Sequence, residues 1–482
     1  MNKRAVIRVL GFLLGVTSLG LLAPALVSAL YRDGDEWSFL ATAAIGAALG
    51  GLLWRLGSSA REIHVREGFA VVTLGWLTVG LLGGLPAWFS GQIPCFTDAV
   101  FESISGFTTT GASILADIES RSHGLLFWRS LTHWFGGMGI VLLALAILPL
   151  LGVGGMQLFR AEVPGPLHER LTPRISQTAK LLWGVYVLLT VLEAAALRLA
   201  GMSLFDAICH AFATMATGGF STRNASVGAY ANPAIHWIII VFMFLAGTNF
   251  TLHYLALRGK LRAYTRDDEF RFYFSVIAIA FVLISLPLVL QQVYPTLEQA
   301  ARHGLFQTVS IMTTTGFVTA DYLLWPPVAH AVLLVLMAVG GCAGSTGGGI
   351  KVVRLLILFK AAKSELQKLL HPRAVTTLWF NGRAVPAQLA TNVLGFLLLF
   401  MLIYIAGIVV LTLSGHDLLS AVGATAATLG NIGPGLGSVG PVENYAHFLG
   451  WEKWLLMFFM VVGRLELYTV LVLFLPEAWR RT

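Results

Sequence analysis

Four short segments of this 482-residue chain repeat one arrangement of small, neutral residues. They are Thr108-Thr109-Thr110-Gly111-Ala112-Ser113, Ala216-Thr217-Gly218-Gly219-Phe220-Ser221, Thr313-Thr314-Thr315-Gly316-Phe317-Val318 and the more divergent Gly430-Asn431-Ile432-Gly433-Pro434-Gly435. None carries a carboxylate, an amine or a thiol, so the chemistry on offer is that of neutral oxygen. Glycine reaches positive φ without a Cβ penalty, which lets successive carbonyls turn toward a common axis. Threonine keeps such a turn polar without adding fixed charge. Rings of backbone carbonyls can replace the hydration shell of a dehydrated alkali ion. Calcium ordinarily recruits carboxylates, so the composition points to a large, weakly hydrated monovalent cation, with K⁺ and Na⁺ not yet separated. One such word reads as well as a close-packing site between membrane helices. Four in register do not.

A second feature repeats in phase with the first. Downstream of each aligned glycine come Gly136-Gly137-Met138-Gly139, Ala246-Gly247-Thr248-Asn249, Gly340-Gly341-Cys342-Ala343-Gly344 and Gly463-Arg464-Leu465-Glu466. Two features recurring together mark an internal repeat. Ahead of each Thr/Gly segment lies an apolar stretch too short to cross a bilayer. Asp98 and Asp206 stand at the same distance before their glycines, with Glu298 and Asp417 at looser spacing. An acid in the first turn of a short helix complements its dipole, and the partly negative far end then favours a cation.

Stepping outward, 56% of the chain is hydrophobic and 12% charged, about half the charge of a soluble domain. Lipid is its main solvent. Runs long enough to span the hydrocarbon layer flank every short helix, and two more precede the first unit. The expected architecture is all-α and integral to the membrane. It has ten spans: two N-terminal helices (1–58) and four helix–pore loop–helix repeats around one pore (66–152, 175–259, 270–372 with a broken second helix, and 385–482). Residues 1–30 read as a retained first span, since the apolar run is long and lacks a clear cleavage site.

The net charge of +8 does not mark a nucleic-acid binder. Most of the lysines and arginines fall between alternate spans: Arg55, Arg61 and Arg66; Arg160, Arg170 and Arg174; Arg258 to Arg271; Lys351 to Arg373; Arg480 and Arg481. The intervening segments are nearly free of them. This asymmetry places both termini in the cytoplasm. Three scattered cysteines give neither a disulfide framework nor a zinc site, and no nucleophile–base cluster suggests an enzyme.

Glycine at 340, 341, 344, 347, 348 and 349, with Ser345 and Thr346 between them, cannot stay helical; each glycine costs roughly 1 kcal/mol relative to alanine. The third unit's second span therefore contains a loop or hinge at membrane depth. Lys351 follows, but the phosphate-loop order is absent. Arg464 lies in an apolar span, where a charge is a functional-site hypothesis by default; the alternative is a buried pair with Glu466.

These segments, the two leading spans and the Ile432 to Gly437 loop resemble the TrkH-type subunits of the Trk/Ktr/HKT superfamily of potassium uptake proteins over essentially the whole chain. The resemblance implies a K⁺-binding filter at Thr109, Thr110, Gly111, Thr217, Gly218, Gly219, Thr314, Thr315, Gly316, Asn431, Ile432 and Gly433. In plant relatives a serine in place of the first glycine goes with Na⁺ preference; glycine at 111, 219, 316 and 433 implies K⁺. Asn431 and Ile432 depart from the threonine pattern, so the symmetry is approximate. It further implies that Gly340, Gly341, Gly344, Ser345, Thr346, Gly347, Gly348 and Gly349 form a gating loop, with Arg464 near the pore below the filter. A homodimer in a bacterial cytoplasmic membrane, a cytosolic nucleotide-binding regulatory subunit of the TrkA type, and no organic cofactor complete the expectation. A coupled K⁺/H⁺ or K⁺/Na⁺ symporter is the alternative, with Glu466 the best of few titratable candidates.

Overall fold

Inside a bilayer every backbone N–H and C=O must be satisfied by protein, which leaves the helix as the default for a long apolar run. The computed structural model describes residues 2–58, 65–147, 175–371, 378–385 and 387–479. Arg61, Arg160, Arg170, Arg174, Arg373, Arg480 and Arg481, and the expected repeat boundaries at 152, 372 and 482, lie outside the described residues.

The chain begins with Lys3–Gly20 and Leu22–Tyr31, followed by Glu36–Leu56. The first and third of these cross where Gly11 meets Gly50; a β-carbon on Gly11 would lie 2.6 Å from the Gly50 oxygen, and one on Gly50 would lie 2.8 Å from the Gly11 oxygen. Small residues at a membrane-helix crossing let backbones approach and gain dispersion energy. Leu19, Leu26, Leu30, Leu49 and Leu52 point away from the protein.

Four stretches then repeat one plan. The first runs Val65–Phe89, Phe96–Phe107, His123–Ile147; the second runs Ile175–Leu199, Leu204–Met215, Pro233–Ala246 with Phe250–Leu257. The third runs Asp268–Leu290, Leu297–Met312, Pro327–Ala338 with Val352–Leu370; the fourth runs Ala387–Leu413, Leu418–Leu429, Gly450–Arg464 with Tyr468–Leu471. The short middle helices are the core. Ala207, Cys209, Ala211, Ala213 and Met215 of the second are wholly buried.

The acids stand at the start of every middle helix. Asp98, Asp206 and Glu298 are in first turns, and the Asp417 carboxylate caps its helix by accepting from Ser420 N at 3.0 Å. The looser third spacing has a plain cause: Leu297–Met312 has 16 residues against 12 in the other three.

Among the described residues six helices are long and apolar enough to cross a membrane, or up to eight if each bent pair is one span. A break was expected only in the third unit's second span. It occurs in all four, each time at the second repeated motif. His123–Ile147 kinks at Gly139, with φ 77° and ψ 133°. Pro233–Ala246 meets Phe250–Leu257 at 102°, and Gly450–Arg464 meets its continuation at 111°. In the third unit residues 339–351 are not helical.

One short hairpin joins the third and fourth units. Leu378–Phe380 pairs antiparallel with Arg383–Val385 around Asn381 and Gly382, with φ 48° and 72°. Asn-Gly between short β-prone runs is a hairpin signal, and this one went unread in the sequence.

Because Gly11 and Gly50 share one backbone contact, Gly50→Val should force the two N-terminal helices apart. We expect the unfolding midpoint of detergent-solubilised protein to fall by about 1–2 °C, as a loss of about 1–2 kcal/mol does in a chain of this length. Val at exposed Gly51, where no atom lies within 4 Å of the added carbon, should leave it unchanged.

Candidate ion-conduction site

Each middle helix ends in the same backbone knot. Thr110, Gly218, Thr315 and Ile432 N–H donate to the carbonyls of Ser105, Ala213, Ser310 and Ala427 at 2.9, 2.8, 2.8 and 2.8 Å. One residue earlier, Thr109, Thr217, Thr314 and Asn431 N–H reach Gly106, Thr214, Ile311 and Thr428 at 3.0, 2.9, 3.0 and 3.3 Å. This is the Schellman C-cap, which needs a left-handed residue and usually takes glycine for it. Here the position is held by Thr109, Thr217, Thr314 and Asn431 at φ 52°, 54°, 58° and 56°. A non-glycine residue is strained there, and persists only because its surroundings over-determine it.

Two residues later the chain turns left-handed again at Gly111, Gly219, Gly316 and Gly433, with φ 77°, 81°, 80° and 97°. A β-carbon on Gly111 would overlap the Gly218 oxygen, one on Gly219 the Thr315 oxygen, and one on Gly316 the Ile432 oxygen. The set closes on itself, since a β-carbon on Gly433 would lie 2.8 Å from Thr110 O. Each glycine therefore abuts the carbonyl that precedes the next repeat's glycine. Four turns ring one axis.

Hydroxyls and amides fix the turns from behind. Thr108 and Thr110 share a hydrogen bond at 2.8 Å, as do Thr313 and Thr315 at 2.7 Å. The fourth turn has no such pair; Asn431 Nδ2 instead donates to Thr110 Oγ1 at 3.0 Å and Met460 O at 2.8 Å. His133 presses against Gly218, donating from Nδ1 to Gly106 O at 2.8 Å and accepting from Phe220 N at 3.2 Å.

Sequence reasoning missed the groups nine positions before each glycine: Glu102, His210, Gln307 and Ala424. Glu102 accepts from Ser113 Oγ at 2.9 Å and Ile114 N at 3.0 Å. His210 Nε2 accepts from Ser221 Oγ at 2.9 Å, and Gln307 Nε2 donates to Phe317 O at 3.4 Å. Glu102 also pairs with Arg129 at 2.7 Å, both side chains almost fully buried. Arg129 stacks over Phe220 at 4.0 Å and donates to Ser221 O at 3.3 Å, joining the first two repeats. Counting back from the aligned glycines, or asking why an arginine interrupts an apolar span, would have found this pair.

On one side of the ring lies a cavity whose lining includes all four glycines, Ser113, Ser221, Glu443 and Tyr445. Asp117 also flanks this mouth; the Ser120 and Asn224 side chains hold its carboxyl below the usual range.

On the other side lies the glycine-rich loop. Gly340 N donates to Ile350 O at 2.8 Å, and Gly344 and Gly349 take φ 73° and 64°. Gly348 N donates to Thr314 Oγ1 at 2.7 Å, in direct contact with the ring. Thr346 Oγ1 donates to Met215 O at 3.0 Å, Cys342 N to Gly247 O at 2.9 Å, and Ser345 Oγ to Cys342 O at 2.6 Å. A β-carbon on Gly341 would lie 2.9 Å from Gly247 O, and one on Gly347 would lie 3.1 Å from Thr313 O. Glu269 ties the loop to the helix that follows it, accepting from Ala343 N at 2.7 Å and Val353 N at 3.1 Å.

Arg464 does not pair with Glu466. Its guanidinium donates to Thr346 O at 2.7 Å and to Gly136 O and Gly137 O at 2.7 and 3.1 Å, linking the fourth, third and first repeats below the ring. Glu466 pairs instead with Arg354, a buried cation also seated 3.9 Å over Phe396. Leu465 ends the helix and Glu466 and Leu467 take positive φ, so the backbone turns between the two charges and sends them to different partners.

Four unequal helix–turn–helix units around one ring of backbone oxygen define a pore-type membrane transport architecture. Comparison with known proteins gives the same class. Residues 36–480 match the model of the TrkH family, described as cation transport proteins. The chain is 45% identical to the Trk system potassium uptake protein TrkH of Escherichia coli K12 over the full length of both. It is 36% identical to the TrkG protein of the same organism, with 99% of each covered. The crystal structure of the potassium transporter TrkH from Vibrio parahaemolyticus superposes with TM-score 0.90 at 41% identity, covering all of both chains. The chain belongs to the TrkH family. Its relatives are named as transport proteins, not enzymes.

Removing one partner of a buried pair strands the other charge, at a cost of about 3–5 kcal/mol. Arg129→Met should thus destabilise the detergent-solubilised protein strongly, and Glu102→Gln added to it should recover most of the loss. Equal unfolding midpoints for the single and double variants would show that the pair is not what holds this seam.

Proposed function

We infer that the chain carries K⁺ into a bacterial cell through a gated, channel-like pore in the cytoplasmic membrane. The observation that carries this reading is the cyclic close approach of Gly111, Gly219, Gly316 and Gly433 to the carbonyls of the neighbouring repeats. No site built of side-chain charge competes with it: among the described residues no cluster of His, Cys, Asp or Glu could hold a metal ion. Neutral carbonyl oxygen suits a large monovalent ion, and the relatives' names specify potassium. K⁺ is the cargo, held at residues 109–111, 217–219, 314–316 and 431–433.

The helix ends add to the field. Four short helices point their partly negative C-termini at the ring, while their acids stay at the far ends. Membrane potential suffices as the driving force, because 100 mV is worth ~2.3 kcal/mol per charge, about 50-fold accumulation. Coupling to H⁺ or Na⁺ is the weaker reading. Glu466, its best candidate, is engaged by Arg354.

The gate is the 340–349 loop with Arg464. A fixed cation under the ring raises the barrier to another cation, and its hydrogen bonds to Thr346 O and Gly136 O hold the loop in place. We assign ten spans, the two-plus-four-repeat partition set out from the sequence, cytoplasmic termini and the ring's mouth outside. A homodimer with one pore per protomer and a cytosolic nucleotide-binding regulatory subunit on the basic face complete the assembly.

Flux into liposomes with K⁺, Na⁺ and Rb⁺ compared tests the ring. A serine β-carbon at 111 or 316 enters a carbonyl's space at a left-handed φ, so Gly111→Ser or Gly316→Ser should cut the preference for K⁺ over Na⁺ severalfold; an unchanged ion ranking would remove the ring from the mechanism. In the same assay Arg464→Ala should raise basal K⁺ flux severalfold, whereas a folded variant with lower flux would argue against the gate.

A further inference from the structure

The ring is not braced alike on all sides. Behind the first three turns, Glu102, His210 and Gln307 hold the residue one or two places after the glycine. The matching residue of the fourth unit is Ala424, which is buried and has no polar atom to offer. The fourth turn also differs in shape: φ at Gly433 is 97°, against 77° to 81° at the other three glycines. It leaves the widest gap to its neighbour, where a β-carbon would stand 2.8 Å from Thr110 O rather than overlap it. The seam between the fourth and first repeats is the most open of the four, bridged by the Asn431–Thr110 hydrogen bond.

Tyr445 occupies that seam. Its hydroxyl donates to the carbonyl of Gly433 itself at 2.8 Å, and its backbone N–H donates to Ser113 O, just past the first turn, at 2.8 Å. The ring packs 5.7 Å from Phe101 on the first short helix and 5.7 Å from Phe448, and the whole residue is 2% exposed. One residue thus ties the fourth turn's glycine to the first repeat: its hydroxyl holds Gly433, while its backbone N–H and its aromatic ring reach Ser113 and Phe101. No comparable phenol reaches Gly111, Gly219 or Gly316 among the described residues.

We propose that Tyr445 is a positioning residue for ion discrimination, supplying from the loop after the fourth turn the brace that Ala424 cannot supply from the short helix before it. It sets where the Gly433 carbonyl stands relative to the other three and so fixes the size and field of the ring at its least symmetric corner. The phenol takes no part in coordinating the ion. It acts through the carbonyl it holds. This rests on the reading of the four turns as the K⁺ site.

The test is Tyr445→Phe, which keeps the aromatic packing and removes one hydroxyl. The full chain is purified and placed in liposomes, and K⁺ and Na⁺ fluxes are compared for this variant, for Gly219→Ser in the ring, and for Tyr322→Phe. Tyr322 is a fitting control because its buried hydroxyl also donates to a fourth-loop carbonyl, that of Gly435 at 2.7 Å, outside the ring. The expected result is a fall in K⁺ over Na⁺ preference of about three- to tenfold for Tyr445→Phe, the range one lost buried hydrogen bond spans. Its unfolding midpoint should match that of Tyr322→Phe, whose ion preference stays as in the parent. If Gly219→Ser alters the preference and Tyr445→Phe does not, the proposal is overturned and the ring stands. If neither alters it, both fall together. If Tyr445→Phe is not recovered folded, 3,5-difluorotyrosine at 445 keeps the shape and makes the hydroxyl a stronger donor; a shifted preference supports the proposal, and an unchanged one overturns it.

Discussion

Four backbone turns come so close around one axis that a side chain enters only by displacing a carbonyl, and that steric fact governs the rest of the molecule. At each position an added β-carbon would crowd the next repeat's carbonyl, on a left-handed backbone that favours glycine. A threonine or asparagine held left-handed two residues earlier costs of order 1–3 kcal/mol. The strain is tolerated because the preceding short helix, its two closing hydrogen bonds and the packed helices outside all specify the same geometry. The long spans exist to hold this one arrangement against the pressure to relax.

The same constraint shapes the layer beneath the ring. A broken helix at membrane depth exposes donors and acceptors that lipid cannot satisfy. Here the breaks satisfy one another. The loop in the third unit closes onto Gly247 in the break of the second, and Arg464 in the break of the fourth bonds the carbonyls of Gly136 and Gly137 in the first. Breaking all four second spans at one depth thus creates a shared polar layer within reach of the pore axis. Glu269 accepts from the backbone N–H of Ala343 in the loop and of Val353 in the helix after it.

Much of this was legible in the residues. The four Thr/Gly words and the acids ahead of them located the short helices, and the glycine-dense run in the third unit located one of the four breaks, because symmetry repeats a physical requirement and the requirement shows in composition. What the echo meant was read only in part. Gly340 to Gly349 is dense enough in glycine to announce a loop, but Ala246-Gly247-Thr248-Asn249 sits in a strongly apolar run and its 102° bend depends on tertiary partners. Arg464 and Glu466 are two residues apart, and nothing in that spacing reveals a backbone turn that sends them to different helices. The Glu102–Arg129 pair joins residues on separate elements, so periodicity along either one is silent about it. The Asn381-Gly382 hairpin carried a local signal that was simply overshadowed by the hydropathy of its neighbours.

The central claim is that the four turns together solvate a dehydrated K⁺ ion. Crystals or frozen grids of the protein in Rb⁺ or Tl⁺, heavy stand-ins for K⁺, test it most directly through the position of the bound ion. The account predicts ion density on the axis, within coordinating distance of the carbonyls at Thr110, Gly218, Thr315 and Ile432, that disappears when Na⁺ replaces Rb⁺ or Tl⁺. Density confined to the mouth beside Glu443, or a ring filled by a neighbouring side chain, would contradict it.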